Sequence, residues 1–161
     1  MIDFEASSSL LIGVVSDTHG LVRPELLKLF AGVDCILHAG DVGEASVLRE
    51  LERLAPLCAV RGNVDRGELA AALPFSLLTK FGGLDVYMLH DISELDLDPR
   101  AAACSIVVYG HTHRPLIEKR DDVLYLNPGS AGPRRFSLPV SCARLRIEDG
   151  RASAELLTLL P

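Results

Sequence analysis

The chain has 161 residues, 48% of them hydrophobic and 24% charged, enough apolar material for one soluble domain with its own core. Its formal net charge is -6 and no block of Lys and Arg stands out, which argues against long duplex nucleic acid as a partner, because phosphate backbones are held by clustered basic side chains. No apolar run reaches the ~18 residues needed to span a bilayer, and the start, with Asp3 and Glu5 but no basic residue, is unlike a signal peptide, so a cytoplasmic protein without membrane contact is expected.

Residues 1–9 read as a flexible extension and 10–161 as a single domain. The apolar run Leu10–Val15 predicts a buried strand that ends in Ser-Asp-Thr-His-Gly. Pro24 then opens a short helix to Ala31, with Gly32 just past its end. A second strand over Asp34–Ala39 is broken by Gly40-Asp41. The spacing of Val47, Leu48, Leu51, Leu54 and Ala55 predicts an amphipathic helix over Glu44–Ala55. Leu57–Val60 is a third strand, closed by Arg61-Gly62-Asn63. This β-α-β-α-β order argues for parallel strands with helices packed on them.

The second half reads differently. Phe75–Phe81 and Leu84–Leu89 flank Gly82-Gly83, a hairpin signal. Asp98 and Pro99 predict a helical stretch to Ala103, followed by a strand over Ser105–Tyr109 that Gly110-His111 breaks. Leu116–Lys119 and Val123–Leu126 flank the Asp121-Asp122 turn, and Val140–Ile147 and Ala152–Leu160 flank Glu148-Asp149-Gly150. The sum is a mixed α/β domain, parallel early and antiparallel late. Cys35, Cys58, Cys104 and Cys142 form no C-x-x-C pair, and they read as buried reduced thiols rather than disulfides or a thiolate zinc site.

Chemistry concentrates where strands stop. Asp17 and His19, Asp41, Asn63, His90, and His111 and His113 follow five predicted strands at once. The carboxyl ends of strands in α/β sheets form the crevice that binds ligands, so these clusters can converge. Asp17/His19 and His111/His113 are one residue apart, which puts both side chains of each pair on one side of an extended segment. Of the five histidines, four lie in these clusters, a concentration that scattered structural histidines do not give. Imidazole, carboxylate and amide without thiolate suit Mn2+, Fe2+, Zn2+, Co2+ or Ni2+. Seven ligands are too many for one tetrahedral site and about right for two sites sharing a carboxylate.

The segments SDTHG, GDVG, GNVD, LH and GHTHRP, in that order, resemble the blocks of the calcineurin-like metallophosphoesterases, and the likeness is greatest to their small, cap-less bacterial and archaeal phosphodiesterases. NPGSAGPRR matches as well. The resemblance implies a four-layer α/β/β/α sandwich, two mixed sheets flanked by helices. It implies one metal on Asp17, His19 and His113, a second on Asn63, His90 and His111, and Asp41 bridging them. It implies a phosphoesterase, a phosphodiesterase first, in which a hydroxide shared by two divalent ions, Mn2+ foremost, attacks the phosphorus. Larger relatives carry a histidine after the motif asparagine, credited with protonating the leaving group; here that position is Val64.

Several residues around the motifs have two readings each. Asp65 is a substitute acid or a partner of a ligand histidine. Asp91, where many relatives have glycine, orients His90 or narrows the site. His38 is a core or supporting residue rather than a ligand. Asn127-Pro128-Gly129-Ser130 has type II turn chemistry, and Arg114, Arg134 and Arg135 are surface arginines or phosphate contacts. The expected partner is a small phosphate ester, a nucleotide among the candidates, and the late apolar hairpins fit a homo-oligomer or the core equally. The alternative class is a non-catalytic interaction scaffold of the same fold, against which stands the occupation of all seven ligand positions.

Overall fold

In each sheet three strands run parallel and so end on the same side, and the candidate site lies along those ends. The computed structural model describes residues 4–161. Its first sheet has the order β10-β9-β1-β2-β3, formed by β1 Ser9–Val15, β2 Cys35–His38, β3 Leu57–Ala59, β9 Val140–Glu148 and β10 Arg151–Leu160. β1, β2 and β3 pair in parallel, whereas β9 and β10 are antiparallel. The second sheet has the order β4-β5-β6-β8-β7, from β4 Ser76–Phe81, β5 Leu84–Leu89, β6 Ile106–Val108, β7 Leu116–Arg120 and β8 Val123–Asn127. Here β5, β6 and β8 are parallel, with β4 and β7 antiparallel at the edges. Both expected mixed sheets are present.

The two sheets face each other across the main core. Alternation sends Leu10, Ile12 and Val14 of β1 and Ala143, Leu145 and Ile147 of β9 inward, against Val86, Met88, Ile106 and Val108 of the second sheet. Val15, Val140 and Cys142 face the other way, against the helices α1 Pro24–Leu29 and α2 Ala45–Glu52. β1 carries Gly13 on that side because a Cβ there would lie 2.9 Å from the Phe30 ring. Without it the helix layer could not close on the sheet.

Turn chemistry worked as the sequence implied. Gly82-Gly83, Asp121-Asp122 and Asp149-Gly150 each place both central residues at positive φ, the backbone a two-residue hairpin needs. Pro24 opens α1, as expected. α2 is shorter than the amphipathic run, with Glu44 at its N-cap position.

One local expectation differs, and one short helix was not expected. The helix expected over Asp98–Ala103 is a run of turns, with Ala102 N–H bonded to Asp98 C=O at 2.9 Å and Cys104 N–H to Pro99 C=O at 2.8 Å. Ala103 stands at φ 59, which ends the coil after one turn so that the chain can enter β6. This segment and a 3-10 turn over Ile92–Glu94, rather than an α-helix, cover the outer face of the second sheet, where Ile92, Leu95 and Leu97 pack on Tyr87, Leu89 and Val107. α3 Gly67–Ala72 was not legible, since six residues with no buried side chain leave no periodicity to read.

Part of the extension expected over residues 1–9 lies outside the described residues. Of the rest, Phe4 and Glu5 carbonyls accept from Gly82 and Gly83 N–H, at 2.7 and 3.0 Å, the Phe4 ring packs at a tilt against Phe81, and Ser9 opens β1. All four cysteines are free; burial pushes the Cys35 and Cys142 thiols up to about 12. Among the described residues no helix is long and apolar enough to cross a membrane.

Candidate metal centre

The loops after β1, β2, β3, β5 and β6 meet, and backbone hydrogen bonds lock them together. Asp17 N–H bonds to Gly40 C=O at 3.0 Å, His19 N–H to Asp41 C=O at 3.0 Å, and Gly110 N–H to His90 C=O at 2.9 Å. Such close loop packing leaves no room for side chains at several glycines, Gly62 and Gly110 among them. A Cβ on Gly62 would sit 2.0 Å from Asp41 Oδ1, and one on Gly110 would sit 2.0 Å from Ser16 Oγ.

Asp17 lies at the centre, fully buried. Its Oδ2 accepts from the Ser16 hydroxyl at 2.7 Å and from His111 N–H at 3.1 Å. Its Oδ1 lies 3.2 Å from His113 Nε2, 3.7 Å from His19 Nε2 and 3.8 Å from His90 Nε2. Asp41 Oδ1 accepts from Val64 N–H at 3.0 Å, and its Oδ2 lies between His90 Nε2 at 3.3 Å and His19 Nε2 at 3.8 Å. Asn63 Oδ1 is 3.1 Å from His90 Nε2 and 3.2 Å from His111 Nδ1. All seven sequence-predicted ligands are therefore brought to one place.

Among the described residues two groups of donors lie close enough together to hold a metal ion, Asp17 with His19 and His113, and Asp17 with Asp41 and His90. The donor chemistry fits divalent cations. Among the described residues four buried side-chain polar atoms lack a hydrogen-bond partner, and three of them are Asp17 Oδ1, His19 Nε2 and His113 Nδ1. Buried polar atoms are otherwise nearly always paired. Asp17 Oδ1 and His19 Nε2 face each other at 3.7 Å, and a cation held between them would give both a partner; His113 faces Asp17 Oδ1 with Nε2 rather than with its unpaired Nδ1.

The titration of the site follows its contacts. Burial pushes the Asp41 carboxyl up, but the hydrogen bonds from His90 and from Val64 N–H outweigh it and hold it below the usual carboxylate range. His90 shows the converse: burial lowers it, yet Asp41 and Asp17 together raise it above an ordinary histidine.

The supporting residues resolve as follows. His38 is not a ligand: its Nδ1 accepts from Gly40 N–H at 3.2 Å. Its Nε2 meets Thr18 Oγ1 at 2.9 Å, whose hydroxyl donates to Val42 C=O. Burial lowers its pKa to about 4, so it is a neutral brace. Asp65 hydrogen-bonds to no ligand histidine, which removes one of its two readings from sequence. Its two oxygens accept from Gly62 N–H at 2.8 Å, Gly43 N–H at 2.9 Å and Val42 N–H at 3.2 Å, clipping the Asp41 loop to the Asn63 loop. With both oxygens turned to backbone, it is poorly placed as an acid for a leaving group.

A sixth loop joins the five. β8 ends parallel to β6, and Asn127 Nδ2 there donates to Gly110 C=O and Thr112 Oγ1, each at 3.1 Å. Gly129, at φ 78, gives the type II turn, and Ser130 Oγ donates to Asp17 C=O at 3.0 Å. Asn127 and Ser130 hold the Asp17 and His111 loops together. Their roles were not drawn from the sequence, although a strand running into Asn-Pro-Gly-Ser repeats the signal of the other five. Arg134 bonds the Pro161 carbonyl, and Arg114 and Arg135 are exposed. A cleft of about 190 Å³ opens beside the centre, lined by Arg61, Asn63, Phe75, His90, Asp91 and Glu94.

The profile of the Calcineurin-like phosphoesterase superfamily domain matches residues 10–150. A probable metallophosphoesterase of Methanothermobacter thermautotrophicus is 36% identical over 160 residues, covering 92% of each chain. A phosphodiesterase of Methanocaldococcus jannaschii is 30% identical over 138 residues, covering 73% of this chain and 82% of its own. The solved structure of vacuolar protein sorting 29 from Cryptosporidium parvum superposes with a TM-score of 0.77 over 96% of this chain and 100% of its own, at 18% identity, a likeness of fold alone. Sheets, loop junctions and profile agree, and the chain belongs to the calcineurin-like phosphoesterase superfamily, as a small phosphoesterase of the archaeal and bacterial type.

Proposed function

We propose that the chain is a two-metal phosphodiesterase. The observation that carries this reading is the buried pair Asp17 Oδ1 and His19 Nε2, both without a hydrogen-bond partner, 3.7 Å apart in a site that is otherwise closely bonded. Asp17, His19 and His113 would hold one cation and Asn63, His90 and His111 the other. Asp41 would serve both, since its Oδ2 stands between a histidine of each set. Two divalent ions so held would supply a hydroxide near neutral pH and would neutralise charge developing on the phosphoryl group.

The protein's own part is to fix those donors before substrate arrives. His90 Nδ1 meets Ala39 C=O at 2.7 Å, which leaves Nε2 free to ligate. Two carboxylates offset only part of the charge of two dications, so an anionic ester is attracted despite the acidic chain. The cleft beside Asn63 and His90 has room for an ester's organic group, and the likeness to a phosphodiesterase supports a diester as substrate. Val64 supplies no acid, and Asp65 is engaged elsewhere. Esters with good leaving groups should therefore react best. Manganese is the first ion to test.

The test loads chelator-stripped protein with Mn2+ and follows bis-p-nitrophenyl phosphate and p-nitrophenyl phosphate. The expected result is faster release from the diester, lost with chelator and in Asp41→Ala. Stoichiometric metal binding without turnover of any ester would replace this reading by the interaction scaffold.

A further inference from the structure

Histidine ligands need a partner on the ring nitrogen that does not face the metal, because that bond selects the tautomer and fixes the ring. His90 has one in the Ala39 carbonyl and is itself buried. His111 stands in a looser place. Its side chain is 41% exposed, its backbone is at φ 70, and its Nδ1 is turned to Asn63 Oδ1, at 3.2 Å. The other nitrogen, Nε2, lies 3.6 Å from Asp91 Oδ2.

Asp91 is held for that task. Its Oδ1 accepts from Ser93 N–H at 3.0 Å and from the Ser93 hydroxyl at 2.8 Å, and its residue caps the 3-10 turn Ile92–Glu94. With Oδ1 pinned, Oδ2 faces the His111 ring. Asp91 has nothing to orient on His90, whose second nitrogen is already taken by Ala39. At 3.6 Å the contact is longer than a hydrogen bond and works through charge. Asn63 Oδ1 is the nearer acceptor on the Nδ1 side, so the charge of Asp91 would select the tautomer when a cation occupies that side and excludes a proton from Nδ1.

Building on the two-cation reading above, we propose that Asp91 is a positioning residue for His111: it favours the proton on Nε2 and so leaves the Nδ1 lone pair for the cation shared with Asn63 and His90.

The experiment titrates chelator-stripped protein calorimetrically with Mn2+ alone, and separately with Zn2+ alone. Wild type should take two ions. Asp91→Asn keeps an oxygen to cap Ser93 but places an amide instead of a charge before His111. It should weaken one ion by about 10–100-fold and leave the other unchanged, with circular dichroism as for wild type. Ser93→Ala, which frees the carboxylate without removing it, should give a smaller loss at the same site. In the zinc-loaded protein, 15N shifts of His111 should report the Nε2-protonated tautomer in wild type and its loss in Asp91→Asn. Wild-type affinity for both ions in Asp91→Asn, with one ion lost in His111→Ala, overturns the role of Asp91 and leaves the two-cation reading standing. If His111→Ala also keeps both ions, the assignment of His111 falls too.

Discussion

Asp17, His19, Asp41, His111 and His113 have φ of 56, 47, 53, 70 and 61°, so five of the seven expected ligands sit in the left-handed region. Side-chain residues pay about 1–3 kcal/mol each to stay there, and the junction bonds from Gly40, Asp41 and Asp65 hold them in place. The ligand pairs were legible, but the extended segment expected to align Asp17 with His19 and His111 with His113 is absent: all four residues are left-handed, because φ depends on what each loop packs against. Gly62→Ala should show how tight that packing is: its Cβ would collide with Asp41 Oδ1 and the Asp41 nitrogen. We expect metal affinity and turnover to fall at least tenfold, read by calorimetry and by diester hydrolysis.

His38 makes a separate prediction at this scale. Its folded pKa is about 4 against an ordinary 6.5, so the unfolded chain binds its proton first as pH drops. The stability that neutral His38 provides is intact above about pH 6.5 and is lost progressively toward pH 4. By pH 5 the loss is about 2 kcal/mol. His90, whose pKa is raised, acts in the opposite sense, so a variant comparison is needed. Urea midpoints of chelated wild type should fall more between pH 7 and 5 than those of His38→Gln; parallel curves would refute the assignment.

At the scale of elements, β1 is the strand on which both layers depend. It pairs with β2 and β9, faces the second sheet with alternate residues, and admits Phe30 over Gly13. Gly13→Ala should cost about 1–3 kcal/mol of stability through overpacking, seen as a lower urea midpoint with unchanged slope. The loop after β8 acts as a brace. Asn127 makes bonds to Gly110, Thr112 and Gly129, and Asn127→Ala should cost about 1–3 kcal/mol while weakening metal binding. Strands and hairpins were largely readable, since alternation and Gly or Asp turns are local properties. The Asp98–Ala103 segment misled because Asp-Pro starts a helix locally, as the Asp98 cap to Arg100 N–H at 3.1 Å still shows, whereas its end is dictated by where β6 must begin.

For the whole molecule, the site joins two sheets, so an ion bound there ties the halves together and stabilises only the folded state. Metal at a hundred times its dissociation constant should add about 2.7 kcal/mol. The melting temperature should rise on adding Mn2+ and return on chelation in wild type, with a much smaller change in Asp41→Ala. A melting curve indifferent to every divalent ion would contradict a metal site at this junction.

The sequence by itself determined which residues carry the chemistry and that each follows a strand, because ligand type and strand ends are both written locally along the chain. It also determined where the three hairpin turns fall. Only the tertiary structure decided which loops touch. Parallel pairing of β6 with β8 brought Asn127 to the site, Asp65 turned to backbone amides instead of a histidine, and Asp91 came to face His111 rather than its neighbour His90. Each depends on distances between segments far apart in the chain, and those distances are set by the packing of two sheets around a common core.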